Sequence, residues 1–190
     1  MASGDYGQQR GMRVRPLSRA RIRGVALAVR ELCEEDAPQV DVARFIEHTL
    51  LKEYDLVFSV QPETVLGPDE GRTYPDPRII QLREDVYERL IAGEPRARFT
   101  AMHEVGHLFL HEGVPLRRAA VPTNHKPFED SEWQSDAFAA EFLMPVHLIL
   151  RLKYKTAAAA CEMLGVSLQA AMIRMEVLRM EGILPKIPKV

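Results

Sequence analysis

Cysteine is scarce: the 190-residue chain carries two, Cys33 and Cys161. Both fall in amphipathic helical patterns, so a disulfide framework is excluded and buried free thiols are expected, as in a reducing, cytoplasmic compartment. Long apolar runs are also missing. No stretch approaches the roughly 20 residues needed to span a bilayer, and the polar N-terminus lacks the hydrophobic region and cleavage site of a secretion signal. Neither sign of charge dominates. A net charge of -2 gives no whole-chain reason to bind nucleic acid or membrane. Internal repeats are absent, and the only low-complexity tract is the alanine run at 157–160.

What remains is a globular composition, 46% hydrophobic and 27% charged, long enough for one domain with its own core. Residues 1–17 read as a flexible lead-in, and 18–190 as a single domain. Six arginines between 10 and 23 read as a solvated approach to the first helix rather than a nucleic-acid arm. Ser18 suits the N-cap of that helix, with Ile22, Val25, Ala26, Val29, Leu32 and Cys33 on one face and Pro38 closing it. Asp41 suits the cap of a second, with Val42, Phe45, Ile46 and Leu50 inward. Three short strands follow, at 54–60, 71–74 and 78–82, the last two joined by Pro75-Asp76-Pro77. They are expected to form a small antiparallel sheet.

From Glu84 onward the pattern is helical. Pro95 suits a first turn, and Gly113 with Pro115 an end. Apolar residues cover most of the circumference between them, so this helix should be buried. Residues 114–129 read as a proline-containing loop. Asp130 can cap the next helix, which runs to Met144 and stops before Pro145. Two further helices, near 156–164 and 167–181, turn at Gly165. The fold class is α+β, mostly helical.

Ionisable groups on a buried helix need partners. His103 and His107 stand at i and i+4, on one face, with Cβ atoms roughly 6 Å apart. That spacing lets both chelate one metal ion, and Glu104 can reach the open side as general base, the zincin His-Glu-x-x-His pattern. A catalytic zinc site takes three protein ligands and a water. Glu132 is the best third ligand. Asp136, one turn on, could accept a hydrogen bond from the outer nitrogen of a bound histidine. His111 is the main rival for the third position, though three histidines on one straight helix surround an ion poorly, and it reads as a supporting residue. Glu141 is a weaker rival. The chemistry is attack of water on a peptide carbonyl, with Glu104 carrying the proton. Tyr74, Tyr154, His125 and His147 are candidates for an additional oxyanion donor. Gly106, costly within a helix by roughly 1 kcal/mol relative to alanine, suggests a closely packed neighbour.

Two blocks then resemble the ImmA/IrrE metallopeptidases. The first is residues 98–111, Arg-Phe-Thr-Ala-Met-His-Glu-Val-Gly-His-Leu-Phe-Leu-His. The second is residues 132–145, Glu-Trp-Gln-Ser-Asp-Ala-Phe-Ala-Ala-Glu-Phe-Leu-Met-Pro. The resemblance extends more weakly over about 18–182. It implies a thermolysin-like, zincin fold, zinc bound by His103, His107 and Glu132, and a catalytic role for Glu104, with manganese an alternative ion in the cell. It also implies a protein substrate, a helix–turn–helix repressor whose cleavage relieves repression of mobile-element, stress-response or toxin–antitoxin-like genes. A repressor-type DNA-binding domain or a large sensor domain finds no room in this length. Ser135 stands where alanine is common.

Two other classes compete. Residues 156–178 carry helix–turn–helix punctuation, but the second helix offers mainly Gln169 and Arg174 to a base edge, so direct nucleic-acid binding is not expected. A zinc-containing adaptor without activity ranks lower, because the motif is intact.

Overall fold

The computed structural model describes residues 11–33, 37–114 and 125–186. Helix α1 (Arg19–Arg30) begins where Ser18 accepts a hydrogen bond from the Arg21 amide. It buries Ile22, Ala26 and Val29 and ends well before Pro38. Asp41 caps α2 (Val42–Arg44) through the Arg44 amide. The helix continues through a π-helical segment, Phe45–Leu50, into α3 (Leu51–Tyr54). Tyr54 therefore closes a helix rather than opening a strand, and Asp55, at φ 51°, turns the chain away.

Strand β1 (Val57–Gln61) is followed by the short helix α4 (Glu63–Leu66), then β2 (Gly71–Tyr74) and β3 (Ile79–Arg83). The sheet has three strands, as expected, but it is mixed. Its order is β1-β3-β2, with β1 parallel to β3 and β2 antiparallel to it. The antiparallel expectation holds only for the β2–β3 hairpin. After β1 the chain does not fold straight back. The α4 connection carries it across the end of the sheet, so β2 is laid down at the far edge and β3 fills the gap between.

Helix α5 (Glu84–Ile91) leads to α6 (Pro95–Leu110), with proline in its first turn. Most of α6 is buried, including Ala101, Met102, Val105 and Leu108. It lies between the sheet and α7 (Ser131–Leu143), while α1 packs across α7. Phe138 and Phe142 of α7 are fully buried, Phe142 against Phe45 with ring centroids 5.3 Å apart. Burying such a ring is worth roughly 1.5–3 kcal/mol, so this layer anchors the position of α6. Beyond α7 come α8 (Val146–Arg151), which the sequence pattern did not reveal, then α9 (Ala157–Leu164) and α10 (Leu168–Met180), with Gly165 in the left-handed turn between the last two. Cys33 and Cys161 are free and half-buried.

Of the lead-in read over 1–17, residues 1–10 lie outside the described residues; residues 11–17 are docked on the chain around the start of α7. The Val14 and Leu17 amides donate to the Glu129 and Phe128 carbonyls, and the Ser131 amide donates to Met12. The backbone makes these bonds, which is why a basic, polar composition gave no sign of them. Of the arginines here, Arg13 pairs with Glu129, Arg19 with Glu181, and Arg23 with Glu141 and Glu181. Most of the expected loop at 114–129, with Pro115 and Pro122, lies outside the described residues.

Candidate metal centre

On α6, His103 and His107 stand four residues apart and share one face, and His111, the C-cap residue, follows four residues on. Helix α7 is held against that face by Gly106. A Cβ there would lie 3.1 Å from the Ser135 Cα and 3.2 Å from the Phe138 Cβ, so the close neighbour inferred from the glycine is α7 itself. The N-terminus of α7 is set by Asp130, whose side chain accepts from the Trp133 amide at 3.0 Å. The first turn of the helix delivers Glu132 to the histidine pair.

Three side chains then converge. His103 Nε2 lies 3.2 Å from Glu132 Oε2, His107 Nε2 lies 3.3 Å from Glu132 Oε1, and the two Nε2 atoms are 3.0 Å apart. Ligand bonds of about 2.0–2.1 Å in a tetrahedron give donor–donor edges of about 3.3 Å. Each histidine nitrogen faces a different oxygen of Glu132 at a spacing close to such an edge, and one ligand atom from each of the three residues, the donor triangle, lies within 4.8 Å of the other two. Among the described residues this is the one group of three or more His, Cys, Asp or Glu placed to hold an ion.

The histidines' outer nitrogens are occupied. His103 Nδ1 is 2.8 Å from Asp136 Oδ1. His107 Nδ1 is 3.0 Å from His111 Nδ1, and His111 Nε2 is 3.1 Å from Gln134 Oε1. His111 thus stands behind His107 with both ring nitrogens engaged. Glu141 is a rival no longer. It is fully buried and takes hydrogen bonds from Arg174 at 2.7 and 2.5 Å and from Arg23 at 2.9 and 3.1 Å.

Glu104 is buried and leans towards β2. The Thr73 hydroxyl lies 2.7 Å from Glu104 Oε2 and 3.0 Å from the Glu104 carbonyl oxygen. Gly71 faces the same carboxylate: a Cβ there would sit 2.7 Å from Glu104 Cγ and 2.9 Å from Oε1. Sequence reasoning missed both residues, and it quoted Gln134 without giving it a role. A threonine on the inner face of a strand and a glycine opening it were the available signals. Of the oxyanion candidates, His125 is buried against Asp130 at 2.8 Å, while Tyr74, Tyr154 and His147 are exposed.

The electrostatics follow from this crowding. Burial opposes a charge on His103, but hydrogen bonds to Asp136 and Glu132, and the charges of Asp136 and Glu104, outweigh it and hold the imidazole well above its ordinary value. Burial likewise opposes the Glu132 anion, yet the two histidines keep its carboxyl far below the usual range. His111 goes the other way. Burial, and then the neighbouring His107, push it down to about 4, so it is neutral at physiological pH.

No helix among the described residues is long and apolar enough to cross a membrane. No curated protein matches the chain. The model of the peptidase family described as the IrrE N-terminal-like domain matches residues 71–176, a span that runs from β2 into α10 and contains both histidines and Glu132.

Proposed function

That match covers more than half of the chain, which therefore belongs to the IrrE N-terminal-like family of metallopeptidases, and from that premise we propose a zinc-dependent endopeptidase that cuts a helix–turn–helix transcriptional repressor. The observation that carries the zinc assignment is the donor triangle of His103, His107 and Glu132. Two imidazoles and a carboxylate are three protein donors, the set of a catalytic zinc site rather than a four-ligand structural one. Manganese, which favours oxygen donors, fits this set less well.

A divalent ion held there supplies a water of lowered pKa and polarises a peptide carbonyl. Glu104 is the general base. Its carboxylate accepts the proton of the attacking water and passes it to the departing amide nitrogen. Thr73 holds Oε2 by a hydrogen bond, and the missing side chain at Gly71 keeps space beside Oε1. Asp136 accepts the Nδ1 proton of His103 and so leaves its Nε2 lone pair facing the cluster. The repressor as substrate rests on resemblance, and with it the relief of repression and a cytoplasmic site of action. The competing DNA-binding reading is weakened by Arg174, the basic residue it relied on, which is 1% exposed and forked onto Glu141.

Glu104→Gln separates the roles. The variant should keep about one zinc per chain and lose at least about 100-fold in cleavage rate, whereas His107→Ala and Glu132→Ala should lose the metal. Full cleavage by Glu104→Gln would remove it as the base. The substrate is tested by incubating the zinc-loaded protein with the repressor encoded beside it and identifying fragments by mass spectrometry. An intact repressor, under conditions where the protein cuts other peptides, would end that pairing.

A further inference from the structure

The two histidines of the donor triangle are oriented by different means, and the second extends deep into the protein. Gln134 is completely buried. Its Nε2 lies 2.9 Å from the Arg15 carbonyl oxygen and 2.8 Å from the Phe128 carbonyl oxygen. Carbonyl oxygens only accept, so the end of the amide that meets two of them must be the NH2 group. The other end, Oε1, is therefore fixed as the atom facing His111 Nε2.

The remaining protons follow in order. An amide oxygen only accepts, so His111 Nε2 carries a proton. A neutral imidazole has one ring proton, so His111 Nδ1 is a bare acceptor. His107 Nδ1, 3.0 Å away, must then be the donor. His107 Nε2 is left bare, aimed at Glu132 and His103. Reversing any link turns the chain around: a proton on His111 Nδ1 would push the His107 proton onto Nε2, into the donor triangle.

We propose that Gln134 and His111 are positioning residues that form a directed hydrogen-bond relay, anchored on the Arg15 and Phe128 carbonyls, which fixes His107 as the Nδ1–H tautomer and presents its Nε2 to the metal. This rests on His107 being a metal ligand. His103 obtains the same tautomer from Asp136, an exposed carboxylate. The relay does so for His107 with neutral groups only, in a place where an unpaired anion would be costly to bury. It also gives the docked N-terminal segment a task, because Arg15 supplies one of the two carbonyls that set the direction of every later proton.

The decisive measurement uses the whole wild-type chain loaded with Zn2+ and needs no substitution. Long-range 1H–15N correlation spectra of the imidazoles should show His111 protonated at Nε2 and bare at Nδ1, and His107 protonated at Nδ1. The opposite tautomer for His111, or a doubly protonated ring, would overturn the relay. Gln134→Leu and His111→Phe should each weaken Zn2+ binding roughly 10–100-fold in a chelator competition. They should also shift the His107 15N resonances while leaving those of His103 in place. Variants that fold and bind Zn2+ at wild-type strength would count against the relay. If the wild-type chain binds no Zn2+, or His107→Ala binds it normally, the ligand assignment itself fails, and the two failures are told apart.

Discussion

Helix α7 carries two polar clusters, one buried and one part-exposed, and they differ in what they still lack. Towards its C-terminal end, Glu141 is enclosed by Arg23 and Arg174, whose guanidinium groups fill both carboxylate oxygens. Every acceptor there has its donor, and the cations are already in place. At the N-terminal end, Glu132 meets His103 and His107. Among the described residues no arginine or lysine reaches this carboxylate, and in the metal-free protein the balancing charge is a proton on His103, which a metal ion would displace. The contrast shows why one carboxylate of this helix reads as structure and the other as a site, although both come from the same kind of residue on the same element.

The largest expected effect breaks the first cluster. Glu141→Ala strands Arg174, which is 1% exposed, without its forked partner. Removing one member of a buried pair costs about 3–5 kcal/mol, to be read from urea unfolding. The folded fraction should still bind about one zinc per chain. A loss within the range of an exposed ion pair, below about 1 kcal/mol, would show that this cluster is no more structural than the other.

Glu132→Ala should invert that pattern. The metal-free variant should unfold within about 1 kcal/mol of the wild type, because Glu132 is partly exposed and the pair it leaves behind is screened. The difference should emerge when zinc is added. At a free concentration a hundredfold above the dissociation constant, wild-type protein gains about 2.7 kcal/mol, and the variant should gain almost none. A differential scanning calorimetry trace in which both proteins rise equally with zinc would remove Glu132 from the ligand set.

These two carboxylates also show how far the sequence could be read. His103, Glu104 and His107 were legible because helical periodicity alone puts the first and last on one face. Glu132 was legible because Asp130 marks the start of its helix, so its place on the first turn was known. Glu132 was preferred to Glu141 from the sequence, but what occupies Glu141 was not legible, because its partners Arg23 and Arg174 come from α1 and α10 and carry no local mark of their destination. Arg174 even suggested a DNA contact while its partner was unknown. Gln134 escaped for a similar reason: an amide inside a helix has no diagnostic spacing, and its meaning comes from the Arg15 carbonyl far away in the chain. The parallel pairing of β1 with β3 was hidden because strand neighbours are decided by where α4 carries the chain. The docking of residues 11–17 was hidden because backbone atoms make it.

The smallest expected effect concerns pH, and it distinguishes the clusters without a substitution. In the metal-free protein, His103 keeps its charge above the ordinary value of 6.5, because the hydrogen bonds to Asp136 and Glu132 outweigh the opposing burial. A folded-state pKa above the unfolded one stabilises fully below the unfolded value and is lost as pH rises through the folded value. The melting temperature of metal-free protein should therefore drift downward as pH climbs above 6.5. Zinc requires the same nitrogen bare, so proton and metal compete, and zinc affinity should move the opposite way. The gap between zinc-loaded and metal-free melting temperatures should widen with pH. Asp136→Asn, which withdraws a negative charge from His103, should flatten the metal-free drift, while Glu141→Gln should leave its slope unchanged. Equal slopes in all three proteins would mean that the open cluster titrates no differently from the closed one. The contrast drawn along α7 would then be one of geometry alone.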